Sequence, residues 1–435
     1  MFFAAEILFH SKNKRDNIMN SILFVDDEKN ILNGLRRRLR SARPDWQTSF
    51  ASSGREALSF CDEKIFDVVV TNMRMPGMDG AELLEKIKKI SPNTARIILS
   101  GFSEKEAVLR TVGPAHQYLA KPCDDEILIE TIHRILAMRQ LLAKPEIYTL
   151  IGNVDSLSSP PDTYSRLVDA LDDPKAGNDR IVAIVSSDIA LTAEILKLTN
   201  SAYFSLPAKV TSISHAVRMI GTETLKSLTL FVGLFKSFDG PASVRRQIIT
   251  LCQRSQQIGI AAALIAEHEG FDRNTCAQLP SIGMLSHIGS LVLYLHHYKE
   301  MAQVIQRVEQ ENISIIEAEQ DQFGAAHPEI GAYLLGLWGF SELIVQTVAL
   351  HHQPPVLPVS SMTLLSALYA AQHLAREIAL HDSGAEGGED DLPTTLDMAY
   401  MESIGKSDKV AAWRKIVATV LARSEKTDRH DAEIL

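Results

Sequence analysis

Two adjacent carboxylates, Asp26-Asp27, an amide, Asn72, a hydroxyl, Ser100, and an ammonium, Lys121, each stand at the end of a short apolar run. The runs are SILFV, DVVVT, ARIILS and HQYLA. Apolar β-formers that break straight into a polar residue are how a buried parallel strand delivers a side chain to a sheet edge. Two carboxylates at one strand end make a hard oxygen site suited to Mg²⁺, which keeps several waters and takes few protein ligands. A hydroxyl and an ammonium opposite would contact a phosphoryl group carried by the third strand's residue. That residue is Asn72, in VVVTNMRMPGMDG (68–80). An amide oxygen is a poor nucleophile beside a carboxylate, so the phosphoryl acceptor is missing. One negative charge fewer also weakens any Mg²⁺ site at Asp26 and Asp27.

The elements that must position these groups follow from changes of period. Strands are predicted at 21–25, 48–52, 67–71, 95–100 and 116–120, and helices at 29–41, 54–63, 81–90, 104–112 and 124–142. Strand and helix in strict alternation mean a doubly wound, five-stranded parallel α/β sheet. In such sheets ligands sit beyond the carboxyl ends of the strands, where the strand order reverses.

The motifs VDDE (25–28), MRMPGMDG (73–80), LSG (99–101) and YLAKP (118–122) resemble the receiver domain of two-component response regulators, which has the flavodoxin-like fold. The resemblance covers residues 20–142, after an N-terminal tail at 1–19. It implies that Asp26 and Asp27 hold Mg²⁺, that Ser100 and Lys121 contact the phosphate, and that Tyr118 is the aromatic switch. It also implies an aspartate, phosphorylated by a histidine kinase, where this chain has Asn72. Three origins produce that departure: a natural receiver that does not accept phosphate, an engineered Asp→Asn block, or a sequence error. The first is the reading adopted.

Residues 143–164 are rich in Pro, Ser and Asp and read as a linker and the start of a second domain. Beyond them strand signals vanish and helical runs dominate, including 223–238, 245–269, 276–308 and 326–351, with Asp188 and Thr222 as N-caps. An all-α domain is expected over 165–355. A helical extension at 356–435 follows, interrupted by the acidic, Gly-rich loop 381–391. The segments 186–230, 281–293 and 327–354 resemble the HDOD domain, a helical relative of the HD-type metal phosphohydrolases. Catalytic members of that superfamily need an upstream His, an adjacent His-Asp pair and a later Asp to bind metals that activate water. Here Arg254 stands at the upstream position and Ser286-His287 at the pair, so no carboxylate-bearing metal site is expected. The His-Asp dipeptides at 381–382 and 430–431 lie outside the matched helices.

His287, His327, His351 and His352 lie on helices that could gather them. Adjacent helical residues point about 100° apart, however. His351-His352 also precede Gln353-Pro354-Pro355, in a last turn that suits histidine by the helix dipole. Helix-end or core polar residues is the reading adopted, with a non-catalytic metal site as the alternative. His296-His297 are read as surface residues.

The 435 residues exceed the usual limit of one core, so several domains are expected. A net charge of −10 opposes nucleic-acid binding, and Arg36-Arg37-Arg38 is read as a solvated helix face. Cys61, Cys123, Cys252 and Cys276 are too scattered for CxxC pairs, which argues against zinc or a disulfide framework and for a reducing, cytoplasmic setting. No apolar run is expected to span a bilayer. Together these features predict a signalling protein without chemistry of its own. Its expected partners are proteins, among them a sensor histidine kinase, a downstream signalling protein and a second copy of the chain. A metal-dependent phosphohydrolase acting on a nucleotide or cyclic dinucleotide is the competing reading.

Overall fold

The computed structural model describes residues 20–101, 115–141, 148, 151, 154, 156–173, 175–201, 204, 209–231, 236–311, 313–354, 359–383 and 396–432. In the N-terminal third the order is β1 (Ser21–Val25), α1 (Lys29–Ala42), β2 (Gln47–Ala51), α2 (Gly54–Glu63) and β3 (Val68–Asn72). Then come α3 (Gly80–Ile90), β4 (Ala95–Gly101), β5 (Gln117–Lys121) and α4 (Asp125–Leu141). The five strands pair in parallel in the order β2-β1-β3-β4-β5. β1, β3 and β4 are buried along nearly all their length and rich in Val, Ile and Leu, because helices cover both faces and leave no side of the strand in water. The order reverses between β1 and β3, so their carboxyl ends frame the crevice expected to hold a ligand. The helix expected at 104–112 lies outside the described residues.

Local chemistry sets the start of the helices that flank the crevice. Ser53 and Asp79 cap α2 and α3 by accepting hydrogen bonds from the backbone N–H of Glu56 and Glu82. Gly80 is required at the first turn of α3, since a Cβ there would collide with the Asn72 carbonyl oxygen. That close approach clamps the loop after β3 against its own strand.

The remaining chain is helical, with one addition to expectation. A two-residue parallel ladder joins β6 (Ser158–Ser159) to β7 (Lys236–Ser237). Between them lie α5 (Pro161–Asp172), α6 (Asn178–Val185), α7 (Ile189–Thr199), α8 (Ile213–Ile220) and α9 (Thr222–Phe231). Asp188 caps α7 as expected, whereas Thr222 is already inside α9, behind Gly221, which has φ +76°. Of the run expected as one helix over 223–238, α9 holds the part through Phe231, 232–235 lie outside the described residues, and Lys236–Ser237 is strand β7.

The longest helix, α10 (Ala242–His268), packs against α12, α18 and α20 at the centre of this region. The helix expected over 276–308 is broken into α11 (Arg273–Cys276), α12 (Leu279–Ser286), α13 (Ile288–His296) and α14 (Tyr298–Glu311). One break falls at His287, whose φ −105° and ψ 17° lie in the sparsely allowed bridge region. After α15 (Ile315–Phe323), α16 (His327–Leu337) and α17 (Glu342–Leu350) divide the run expected over 326–351, separated by Gly339 at φ +78°. α18 (Leu364–Ser383), α19 (Met398–Ser403) and α20 (Val410–Ala432) complete the chain, and Trp413 is wholly buried.

One expectation fails by composition. Arg273–His296 is long and apolar enough to cross a membrane, but it is three helices rather than one, and 83% of its apolar window is buried inside the fold. Its hydropathy is that of a core segment.

The apolar core of the helical region is continuous with one face of the sheet. Ile22, Phe24, Val68, Val70 and Ile97 join Leu128, Ile132 and Ile135 of α4, and through them the helices that follow. The other face of the sheet has its own cluster around Leu23, Val69, Leu83 and Ile98. Helix α4 therefore sits between the sheet and α16, which it also contacts.

Candidate functional site

At the carboxyl ends of β1 and β3 the expected residues converge. Lys121 Nζ lies 2.8 Å from Asp26 Oδ2 and donates to Asn72 Oδ1 at 2.9 Å. Asn72 Nδ2 donates to Asp27 Oδ1 at 3.0 Å and to the Arg74 carbonyl at 2.8 Å. Asp26 is 3% exposed, and its other oxygen accepts the Glu28 backbone N–H at 2.9 Å. Ser100 is buried on β4, one residue beyond the Asn72–Leu99 pair in register. The amide thus fits as an amide: its oxygen meets the ammonium and its nitrogen meets the second carboxylate. An aspartate at this position would instead face Asp27 across 3.0 Å as a like charge, which only a cation between them would relieve. The donors fit Mg²⁺ by chemistry, but the Asn72 N–H already occupies one Asp27 oxygen. Met73 and Met75, beside the pocket, are buried in the core.

Tyr118, the expected switch residue, follows Gln117 on β5 and lines a cavity of about 170 Å³ where the sheet domain meets the helices. Arg134 of α4, Lys197, Asn200 and Trp338 line it from the two sides. Gln117 Nε2 donates to the Gly336 and Leu337 carbonyls at 3.2 and 2.9 Å. Those carbonyls belong to the last turn of α16, where the helical ladder runs out; Gly336 also accepts from the Gly339 backbone N–H at 3.1 Å, and Gln117 adds its donor to both from the other domain. Lys197 stacks over the Trp338 ring at 3.9 Å to the centroid, and a Cβ on Gly336 would strike Met138 of α4. β5 and α4 are therefore the docking face toward the helical region.

In the helical region His287, His327 and His351 present one ligand nitrogen each, all within 4.8 Å of one another. The three are 8%, 3% and 0% exposed. His352 joins them, its Nε2 3.0 Å from His327 Nε2 and its ring 4.0 Å from that of His351. This corrects the expectation from adjacency. His351 caps α17 and His352 lies in the turn that follows, outside helical geometry, so neighbouring imidazoles do face one side. Helix-end placement and burial hold as expected; separation does not. His296 is exposed, as read.

Hydrogen bonds fix the tautomers. Ser255 Oγ and Ser286 Oγ donate to the Leu251 and Gly283 carbonyls at 2.7 Å each, so both can only accept from His287 Nδ1, at 3.2 and 3.0 Å. His351 Nδ1 donates to the Val348 carbonyl at 2.7 Å, and His327 Nδ1 to Glu319 Oε2 at 2.8 Å. Each of the three rings is thereby left with its lone pair on Nε2. Burial first, and neighbouring imidazoles second, hold His287 and His352 well below the ordinary value, and burial pushes His351 down to about 3. Arg254 lines a cavity of about 260 Å³ together with Arg246, Glu319, His287, His327 and His352. The three residues at the degenerate pair and upstream positions, Arg254, Ser286 and His287, do meet at one place, without a carboxylate at the pair.

The sequence reading missed Glu319, Ser255 and Gln372. Glu319 is 0% exposed beside the buried Ile315 and Ala318 of α15, and a carboxylate on the apolar face of an amphipathic helix was the available signal. Gln372 lies within LYAAQHLA, a polar interruption of an apolar run on α18, and its amide meets His352 Nδ1 at 3.2 Å. The C-terminal extension therefore reaches the cluster.

The family model for the response regulator receiver domain matches residues 22–133, and that for the HDOD domain matches residues 157–354. An uncharacterized protein of Treponema pallidum (strain Nichols) is 28% identical over 251 residues, 57% of this chain and 48% of the relative. YesN, an uncharacterized transcriptional regulatory protein of Bacillus subtilis (strain 168), is 34% identical over 151 residues, 32% of this chain and 39% of the relative. The chain thus spans half or less of the length of these two curated relatives. Among solved structures, the MmoQ response regulator of Methylococcus capsulatus str. Bath is 20% identical with a TM-score of 0.44, covering 61% of this chain and 98% of that one.

Proposed function

The chain carries a response regulator receiver domain followed by an HDOD domain, and from that premise we propose that it is a signalling adaptor without chemistry of its own. Its receiver does not accept phosphate, and its output is the docking of the HDOD domain on proteins. The observation that carries this reading is the Asn72 amide, held at both ends by Lys121 and Asp27. It occupies the acceptor position with a group that cannot form an acyl phosphate, and its hydrogen bonds replace part of what Mg²⁺ would supply.

Signalling then runs through populations of docked and undocked receiver. β5 carries Gln117 in the interdomain contact, Tyr118 at the interdomain cavity and Lys121 in the acidic pocket, so one strand links the two sites. A partner that binds the receiver face, or one that binds the HDOD helices, shifts the same equilibrium. The partners are signalling proteins: a sensor histidine kinase that binds without transferring phosphate, a downstream target, and a second copy of the chain through the receiver. Replacement of the His-Asp pair by Ser286-His287 supports an HDOD domain that is not a phosphohydrolase.

Incubation of the full chain with acetyl phosphate and Mg²⁺, followed by intact-mass measurement, tests the central point. No added phosphoryl group is expected. A Mg²⁺-dependent gain mapped to residues 72–79 would overturn it.

A further inference from the structure

The buried imidazoles of the HDOD domain have a feature that packing alone does not demand. His351 is 0% exposed, and its Nε2 has no hydrogen-bond partner among the described residues. Since Nδ1 donates to the Val348 carbonyl, that nitrogen carries a lone pair directed away from the helix end. A buried acceptor without a donor has given up its hydration for nothing, so its persistence calls for a ligand. The lone pairs of His287 and His327 are fixed on Nε2 by their own Nδ1 hydrogen bonds. Three neutral imidazoles with fixed tautomers, from the α12–α13 joint, the start of α16 and the end of α17, are thus brought together.

We propose that His287, His327 and His351 bind one Zn²⁺ ion. Three imidazole nitrogens are a donor set for zinc and its borderline neighbours, and Mg²⁺ or Ca²⁺ would demand oxygen. Zn–N bonds of 2.0–2.1 Å set ligand nitrogens about 3.3 Å apart in a tetrahedron. The observed limit of 4.8 Å requires each ring to close by less than about 1 Å, within the reach of side-chain rotation. Glu319 completes the arrangement from behind. It accepts from both the Nδ1 and the backbone N–H of His327 at 2.8 Å, which fixes the ring and raises its basicity as a ligand.

His352 supplies the fourth nitrogen. Its Nε2 already stands 3.0 Å from His327 Nε2, close to ligand–ligand spacing, and donates to it while Gln372 Nε2 donates to its Nδ1. Rotating the Gln372 amide by half a turn would present Oε1, which now has no partner, to an Nδ1–H. The His352 proton then moves from Nε2 to Nδ1, and its lone pair turns to the metal. The ring nitrogens keep the same number of protons throughout. Four imidazoles close the coordination sphere, which is the pattern of a structural site rather than a hydrolytic one. The scattered cysteines speak against a thiolate zinc site and leave an all-imidazole one open. The cavity lined by Arg254, His287, Glu319, His327 and His352 provides the path of entry.

The test uses untagged full chain stripped with a chelator, then titrated with Zn²⁺ and Co²⁺. The expected result is one equivalent of Zn²⁺ retained per chain through gel filtration. Co²⁺ should give the intense visible bands of a tetrahedral nitrogen site, displaced by Zn²⁺ and not by Mg²⁺. His351→Gln should abolish retention, Glu319→Gln should weaken it about 10–100-fold, and His296→Gln, at an exposed position, should leave it unchanged. A stripped wild-type chain that retains no Zn²⁺, or that shows only pale octahedral Co²⁺, overturns the proposal without reference to any variant. So does a folded His351→Gln chain that binds as tightly as wild type.

Discussion

At the carboxyl ends of β1 and β3, both ends of the Asn72 amide have partners within 3.0 Å, while under α13 and α16 a wholly buried imidazole nitrogen of His351 has none among the described residues. Each place turns on one side chain, Asn72 in one domain and His287 in the other. The two behave differently because an amide presents a donor and an acceptor on one planar group, and a neutral imidazole presents one of each on opposite edges. Asn72 therefore closes the acidic pocket by itself. His287 spends its donor on Ser255 and Ser286 and turns an unspent lone pair toward its neighbours. One site is closed by its own side chains and the other leaves a lone pair unspent.

The largest expected effect is on the closed site. Asn72→Asp replaces the N–H that meets Asp27 with an oxygen 3.0 Å from another carboxylate, and Lys121 alone cannot neutralise three acids. The variant should bind Mg²⁺ and, given acetyl phosphate, take up one phosphoryl group where wild type takes up none, as read by intact mass. A variant that stays unphosphorylated would mean that the pocket's other residues have also lost their function, and the contrast between the two domains would shrink.

Second in size is Lys121→Met. The ammonium is partnered by Asp26, whose side chain is 4% exposed, and by the Asn72 oxygen, so its loss strands a buried charge and an acceptor. With Lys121 itself 24% exposed, a destabilisation of about 2–3 kcal/mol is expected, below the range for a fully buried pair. Urea titration should show it as an earlier midpoint for the receiver. A change of less than about 0.5 kcal/mol would place the pair among surface bridges and remove the argument that the pocket is closed.

How far these contrasts were legible in the sequence depends on the range over which each is set. The pocket could be read because parallel strands place the residue after each apolar run at one edge, so Asp26, Asn72, Ser100 and Lys121 were assembled by period alone. The cluster could not, because its geometry depends on breaks in helices. The joint at His287 and the turn after Leu350 decide where those rings point, and hydropathy ran straight through the first of them. The Arg273–His296 stretch was misjudged on composition, which the sequence does carry; that it is buried against α10 and α16 is the tertiary fact. Gln117 went unnoticed because its partners are backbone carbonyls more than two hundred residues away, which leave no mark in local sequence.

A third test uses pH and follows the receiver by its own peptides. His116 is buried in the receiver, its Nε2 2.8 Å from Arg96 Nη2, and burial followed by that guanidinium holds it well below the ordinary 6.5. A histidine whose folded value is lowered contributes stability that is complete above 6.5 and is lost as pH falls from there toward the folded value. The receiver should thus lose about 1.4 kcal/mol per pH unit below 6.5 from this group. In the helical region Asp188 has the opposite sign, raised by burial to about 6, but His287, His351 and His352 are lowered by burial as His116 is, so that region loses stability in acid as well. Pulse proteolysis of the full chain at pH 7.5 and 5.5, with fragments mapped to each domain, should show receiver peptides released at lower urea in acid. Removal of that shift in His116→Asn would assign it.

The smallest expected effect concerns the joint between the two regions. Gln117 donates to two carbonyls at the last turn of α16, and α16 begins with His327, about 16 Å away along 11 residues. One helix therefore carries the imidazole cluster at its first residue and the receiver contact at its last turn. Gln117→Leu keeps the volume and removes the donor, which leaves carbonyls underused at a helix end and should cost about 1 kcal/mol. The local readout is amide hydrogen exchange in β5 and the end of α16, where opening should become about fivefold more frequent at that cost. The same turn also tests whether the pocket reaches the helical region. In phosphorylated Asn72→Asp, Lys121 would be drawn to the phosphoryl group, and β5 carries Lys121, Tyr118 and Gln117 together. Exchange at the end of α16 should then change in the direction set by Gln117→Leu, though by less. Exchange left untouched by phosphorylation would break the link along β5 and leave the two sites as independent relics on one chain.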